Sequence, residues 1–250
     1  MNLLEVKNLE LWYRDKKTLH GINFSLKERE ILCIVGESGS GKSSIFYAIL
    51  GLLPNYARVE GEINFKGKNL LSLSERELRK IRGKEIGIVF QEPSLYLDPL
   101  FTVGIQIEET YIAHYGDKNK AYEETIKAMK KAGISKAEEK YYMYPHQLSG
   151  GLKQRVCIAN AIVCNPPLIL ADEPTTALDV SVQKKILNLF RKMKKEGKAV
   201  ILITHDFGVV AEVGDRVIVL KEGRIVEEGN VYEIFDKPKH EYTKRLLKAV

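Results

Sequence analysis

Gly36-Glu37-Ser38-Gly39-Ser40-Gly41-Lys42-Ser43 spells G-x-x-x-x-G-K-[ST], and the reading of the whole chain starts there. It follows Glu30-Ile31-Leu32-Cys33-Ile34-Val35, a short apolar run with the look of a buried strand. It precedes Ser44-Ile45-Phe46-Tyr47-Ala48-Ile49-Leu50-Gly51, which reads as a helix stopped by glycine. Strand, glycine-rich loop and helix, in that order, form the context the motif requires. The glycines let the backbone curl until its N–H groups face a phosphate chain, and the helix start adds partial positive charge. Lys42 is placed to reach the β- and γ-phosphates, and Ser43 to ligate Mg²⁺. A chance glycine-rich turn would lack the flanking strand and helix.

A phosphate cradle indicates a nucleotide, not a task, and three further stretches narrow it. Pro166-Pro167-Leu168-Ile169-Leu170-Ala171-Asp172-Glu173 reads as an apolar strand ending in two carboxylates. Asp172 is placed to hold the Mg²⁺ shell through water, and Glu173 to polarise an attacking water. Ala199-Val200-Ile201-Leu202-Ile203-Thr204-His205-Asp206 reads as a third such strand, ending at a histidine that can contact a γ-phosphate or orient water. Leu148-Ser149-Gly150-Gly151 precedes the helical stretch 152–162. Ser149 suits an N-cap, and the paired glycines leave backbone N–H groups open, so a second phosphate-binding helix start is expected far from the first.

Taken in order along the chain, these stretches resemble the ATP-binding cassette (ABC) ATPases, and the likeness covers nearly all of it. The glycine-rich loop matches the family's Walker A motif at 36–43. Gln91 in Val89-Phe90-Gln91-Glu92-Pro93 matches its Q-loop, Ser149-Gly150-Gly151 its signature, and 168–173 its Walker B. Ala177-Leu178-Asp179 matches its D-loop and His205 its switch histidine. The resemblance implies an α/β fold: a P-loop NTPase (RecA-like) core with an antiparallel β subdomain and an inserted α-helical subdomain. One ABC ATPase domain over 1–250 is expected, with 1–91 and 166–250 as the core and 92–165 as the helical part. It implies ATP and Mg²⁺, with nucleotide contacts at Tyr13, Gly36, Ser38, Gly39, Ser40, Gly41, Lys42, Ser43, Ser44, Gln91, Ser149, Gly150 and Gly151. Metal contacts would fall to Ser43, Gln91 and Asp172, and catalysis to Glu173, His205 and Lys42. Tyr13 is similar to the family's adenine-stacking aromatic, with Trp12 as the competing ring. Leu152 stands where the family usually has glutamine.

A narrower resemblance points to the importer subfamily for peptides and nickel. It rests on residues 93–107 after the Q-loop, on Tyr144-Pro145-His146-Gln147, and on Glu233-Ile234-Phe235 followed by Pro238, His240-Glu241-Tyr242-Thr243 and Leu246-Leu247. That subfamily often has Pro where Glu241 stands. Its peptide members often carry a longer tail, sometimes with a cysteine cluster, which keeps nickel as an alternative cargo. An export ATPase is a closer rival than DNA-repair or translation ATPases. Those need a long coiled-coil insertion or two cassettes in one chain.

Composition agrees with a cytosolic enzyme, and the resemblance implies a peripheral place at the cytoplasmic face of the cell membrane. The 250 residues suffice for one large domain or two small ones. No run reaches the roughly 18 apolar residues of a membrane span. Glu5 and Lys7 break up any signal-peptide core. Cys33, Cys157 and Cys164 form no C-x-x-C pair, so neither a disulfide framework nor a zinc site is expected. The net charge of +6 comes from lysines spread through Glu/Lys-rich helices, and no nucleic-acid partner is expected.

Periodicity sketches the remainder. Residues 3–35 alternate as short strands around Asp15-Lys16-Lys17, and a further pair begins near Gly61. Residues 74–82 read as a helix behind Ser74, with Glu77 at capping-box spacing. Residues 119–132 and 181–195 read as amphipathic helices. Two helix starts so far apart imply, through the resemblance, two ATPase subunits head to tail, with Walker A of one facing Ser149 of the other. Two transmembrane permeases and, indirectly, a solute-binding protein complete the implied partners, with a permease coupling helix docking near Ser94 to Phe101.

Overall fold

A computed structural model describes residues 2–176 and 178–248. In chain order it has β1 (Asn2–Tyr13), β2 (Lys16–Lys27), β3 (Ile31–Val35), α1 (Lys42–Leu50), β4 (Ala57–Phe65), β5 (Lys68–Asn69) and α2 (Glu75–Ile81). Next come β6 (Ile86–Val89), α3 (Pro93–Tyr96), α4 (Val103–Tyr115), α5 (Lys118–Lys131), α6 (Ala137–Tyr141), α7 (Gly150–Ile162), β7 (Leu168–Asp172) and α8 (Val180–Lys195). The last are β8 (Ala199–Thr204), α9 (Phe207–Val213), β9 (Arg216–Lys221), β10 (Arg224–Asn230), α10 (Val231–Asp236) and α11 (Glu241–Lys248).

The chain divides into two compact units. One comprises residues up to Leu78 and from Lys194 onward. In it, β3 lies between β8 and β9, parallel to both, with β10 antiparallel on the far side of β9. Every residue of β3 and β8 is buried. Parallel strands covered on both faces need apolar side chains throughout, so these stretches read as unbroken apolar runs. An antiparallel sheet of β2, β1, β4 and β5 belongs to the same unit.

The strands flanking Asp15 are long, twelve residues each, not the short pieces that the alternation suggests. Register shifts between Val6 and Leu9, and a left-handed Asn8 (φ 47°), break the two-residue period inside one continuous strand. Ser74 opens α2 as its spacing predicts, with its N–H and hydroxyl both on the Glu77 carboxylate at 2.8 and 2.6 Å. The helix after the glycine-rich loop begins at Lys42, earlier than Ser44, and Gly51 ends it in the left-handed conformation.

The second unit comprises Arg79–Met193. It carries the parallel pair β6 and β7 along with the helices α3 to α7 and most of α8. Asp117 caps α5 by accepting the Asn119 and Lys120 N–H groups, and Ala121, Ile126, Ala128 and Met129 form its buried face. The buried face of α8 is Ile186, Leu187, Leu189, Phe190 and Met193, while Val182 is only half-buried. All three cysteines are buried thiols, and burial pushes Cys157 up to about 12 and Cys164 to about 11. Among the described residues no helix is long and apolar enough to cross a membrane.

Candidate functional site

Within the first unit, the site grows from the end of the parallel sheet. Val35 pairs with Thr204, so Gly36 and His205 leave neighbouring strands side by side. A Cβ at Gly36 would lie 2.2 Å from the Leu220 carbonyl oxygen and 2.8 Å from Ser40 Oγ, so only glycine fits against β9. Gly39 and Gly41 are left-handed at φ 78° and 105°, which turns the loop into the start of α1. Lys42 is almost fully buried. Its Nζ donates to the Gly36 and Glu37 carbonyls at 2.7 and 2.9 Å, so the loop curls around its own ammonium. Ser40 Oγ is buried and has no hydrogen-bond partner. Around Gly39 nothing lies within 4 Å of where a Cβ would stand, which leaves the loop apex open. The loop thus combines a curled backbone, a helix start, an inward cation and an orphaned hydroxyl, a donor set that fits a polyphosphate.

Strand geometry separates the two candidate rings at the end of β1. Adjacent strand residues point to opposite faces. The Trp12 ring carries the Arg58 guanidinium and the Lys17 ammonium, 4.1 and 4.7 Å from its centroid. Tyr13 turns the other way, and its hydroxyl meets Ser44 Oγ in the first turn of α1 at 3.3 Å. Its ring lies 6.3 Å from that of Tyr56, tilted by 59°. Sequence reading missed Tyr56, which is set in the turn before β4 and belongs to no motif.

His205 is exposed just past β8. Asp206 caps α9 by accepting the Gly208 and Val209 N–H groups at 2.7 and 3.3 Å, and its own N–H donates to Thr204 Oγ1 at 3.0 Å. These bonds hold the turn from which His205 projects. Tyr242, on α11, also reaches this loop: its hydroxyl accepts the Glu37 N–H at 3.0 Å.

In the second unit, β6 and β7 are paired through Val89 and Ala171, so Gln91 and the two carboxylates leave adjacent strand ends. Asp172 is buried and Glu173 half-buried. Glu173 is left-handed at φ 43°, a conformation that costs on the order of 1 kcal/mol or more for a residue with a side chain and clusters at functional sites. Its Oε2 accepts Gln91 Nε2 and Thr176 Oγ1, each at 3.0 Å. Thr176 is a further partner that strand-pattern reading does not find, since the link is a turn contact. In this unit Gln91 and Asp172 offer an amide carbonyl and a carboxylate, hard oxygen donors of the kind that Mg²⁺ takes. Among the described residues no group of three His, Cys, Asp or Glu could hold a metal by itself.

The signature stretch begins α7 as its residue types predict. Ser149 is the N-cap and its Oγ accepts the Leu152 N–H at 3.4 Å. Gly151 has a packing reason to be glycine, since its Cβ would meet Val182 Cγ1 at 2.7 Å. Among the described residues Gly150 has none: its nearest neighbour would be Leu178 Cδ2 at an ordinary 3.9 Å. Ser149 and Gly150 are both exposed. Of the D-loop match, Ala177 lies outside the described residues. In the segment after Gln91, Leu95 and Leu100 are 75% and 78% exposed, beside the half-exposed Tyr96 and Phe101. Apolar side chains concentrated this way mark an interaction surface.

Comparison with known proteins places this geometry. The family model described as ABC transporter matches residues 19–176. The dipeptide transport ATP-binding protein DppD of Haemophilus influenzae is 46% identical over 257 residues, covering 100% of this chain and 78% of that protein. The oligopeptide transport ATP-binding protein OppD of Salmonella typhimurium is 43% identical over 254 residues, covering 99% and 76%. Among solved structures, the dimeric post-hydrolysis state of the ATP-binding cassette MJ0796 bound to ADP and Pi matches at TM-score 0.80 and 35% identity. That match covers 91% of this chain and 98% of the other. The structure of cbiO1 from Clostridium perfringens, part of the ABC transporter complex cbiONQ, matches at TM-score 0.83 and 33% identity, covering 94% and 91%.

Proposed function

The chain belongs to the ABC transporter family, and from that premise we propose that it is the ATP-hydrolysing subunit of a di- or oligopeptide importer. Full-length similarity to DppD and OppD carries the choice of cargo. The strand-end carboxylate Glu173, held by Gln91 and Thr176, carries the choice of chemistry.

In this reading the backbone of 38–44 and Lys42 bind the β- and γ-phosphates, and Tyr13 stacks on the base. Mg²⁺, held by Ser43, Gln91 and Asp172, would supply positive charge against the phosphates. Glu173 accepts a proton from water as the water oxygen attacks the γ-phosphorus. The bond to the β,γ-bridging oxygen breaks, leaving ADP and inorganic phosphate. His205 orients the attacked phosphate. Gln91, bonded to Glu173, links nucleotide state to the helices that follow it. Residues 92–165 form the helical subdomain, and two ATPase subunits close head to tail, with Ser149, Gly150 and Gly151 completing the partner's site. ATP favours the closed pair and its loss on hydrolysis releases it. The exposed Leu95, Tyr96, Leu100 and Phe101 are the docking surface for a permease, which would hold the subunit at the cytoplasmic face of the membrane.

The cargo is tested with inside-out vesicles from cells producing this chain with its permeases. With labelled peptide and the solute-binding protein trapped in the lumen, which is the extracytoplasmic side, ATP added outside should drive release of the peptide, and Glu173→Gln should stop it. Nickel movement in place of peptide would reassign the cargo and leave the ATPase chemistry standing. The base-stacking residue is tested separately. Tyr13→Ala should weaken ATP and GTP binding alike, since stacking reads a ring face and not its hydrogen-bonding edge. Trp12→Ala should leave both affinities near wild type, because its ring is already engaged by Arg58 and Lys17. A larger loss at Trp12 would reverse the assignment.

A further inference from the structure

The phosphate-binding loop has a contact that its motif does not contain. Tyr242 lies near the start of α11, in the last stretch of the chain, yet its hydroxyl accepts the Glu37 N–H at 3.0 Å. The side chain is 2% exposed, so this is a buried anchor and not a surface encounter. Lys221 and Arg245 flank its ring, at 5.4 and 5.6 Å from the centroid.

The backbone around Tyr242 is fastened in turn. Glu227 on β10 accepts the Lys239 and His240 N–H groups at 2.7 and 3.0 Å. His240 Nδ1 then accepts the Tyr242 N–H at 3.1 Å. A chain of hydrogen bonds therefore runs from β10 through His240 to Tyr242 and on to the loop.

Glu37 is gripped on both sides of its residue. Tyr242 holds its N–H, while Lys42 holds its carbonyl at 2.9 Å and that of Gly36 at 2.7 Å. An ammonium that turns toward phosphates must loosen its hold on those carbonyls. The Tyr242 bond does not compete with phosphate, because it uses a donor at the loop's entry, ahead of the curled segment. We propose that Tyr242 is a positioning residue for ATP binding: it keeps the entry of the phosphate loop in place when Lys42 is drawn from the loop carbonyls to the nucleotide. This rests on the reading of residues 36–43 as the ATP-binding loop.

Tyr242→Phe removes the hydroxyl and keeps the buried ring with both flanking cations. A neutral hydrogen bond contributes about 1 kcal/mol net, and the exposed Glu37 can pass its N–H to water when the hydroxyl is gone. ATP affinity by calorimetry should therefore fall about three- to tenfold. KM for ATP should rise by a similar factor, with kcat at saturating ATP near wild type. The bond is present without nucleotide as well, so the nucleotide-free melting temperature should fall by no more than about 2–4 °C, while the rise in melting temperature at a fixed ATP concentration should shrink. Lys244→Ala, which removes an ion pair with Glu241 at 2.6 Å on the same helix, should change none of these.

Two outcomes would overturn the proposal. One is Tyr242→Phe binding ATP as tightly as wild type. The other is a lower nucleotide-free melting temperature with an unchanged KM, which would make Tyr242 a packing residue only. A wild-type protein that binds no ATP would instead remove the premise about the loop.

Discussion

Glu173→Gln is expected to stop ATP turnover while leaving ATP binding intact. The substitution preserves shape and an acceptor oxygen, so the contacts from Gln91 Nε2 and Thr176 Oγ1 can persist in altered form. What it removes is the proton acceptor. Loss of a general base typically costs on the order of a hundredfold or more. Phosphate release at saturating ATP should fall by at least that factor, with affinity by calorimetry near wild type. An ATP-bound dimer should accumulate in light scattering, because closure no longer leads to hydrolysis. Hydrolysis near the wild-type rate would sink the assignment. The left-handed backbone at Glu173 adds a structural reason to expect a local effect. That turn aims the carboxylate, and glutamine keeps the aim.

The second large effect is expected from splitting the ATP site between two copies. Lys42→Ala removes the loop's only motif cation and empties the position that bonds the Gly36 and Glu37 carbonyls. ATP affinity should fall sharply, and unchanged affinity would mean that the backbone cradle suffices. Ser149→Arg puts bulk and charge at an exposed helix cap while leaving Lys42 untouched. Such a monomer should still bind ATP but fail to dimerise with it. Each mutant alone should be nearly inactive. Mixing the two should restore activity, because one of the two shared sites then carries both lesions and the other carries none. Absence of recovery, with wild type active, would mean that sites are not shared or that both must fire together. Gly150 supports the shared-site expectation, since no neighbour among the described residues requires a glycine there, whereas Gly151 is pressed by Val182. Leu152→Gln should alter turnover little, because Leu152 enters the Ser149 cap through its backbone N–H.

Much of the architecture was legible from local pattern. Strands buried on both faces need an unbroken apolar run, so 31–35, 168–172 and 199–204 announced themselves. Capping chemistry acts over three or four residues, so Ser74, Ser149 and the glycine stop at Gly51 could be read directly. The alternation in residues 3–27 was harder to interpret, because bulges reset its phase inside single strands. Motif spacing brought Gln91, Asp172, Glu173, His205 and the loop at 36–43 forward as candidates, before any register was known.

Local pattern did not separate the rings of Trp12 and Tyr13, since both are aromatic neighbours with similar claims by spacing. Their partners differ because the sheet places them on opposite faces: Arg58 and Lys17 on Trp12, Ser44 on Tyr13. The sequence by itself determined the order of elements and the residue types that can bind phosphate, because these follow from periodicity, capping and backbone freedom within short segments. Only the tertiary structure decided that Thr176 shares the Glu173 carboxylate and that Tyr242 meets Glu37. Such contacts join groups through turns or across most of the chain. No local period encodes them, and they exist only once packing has fixed where each segment ends.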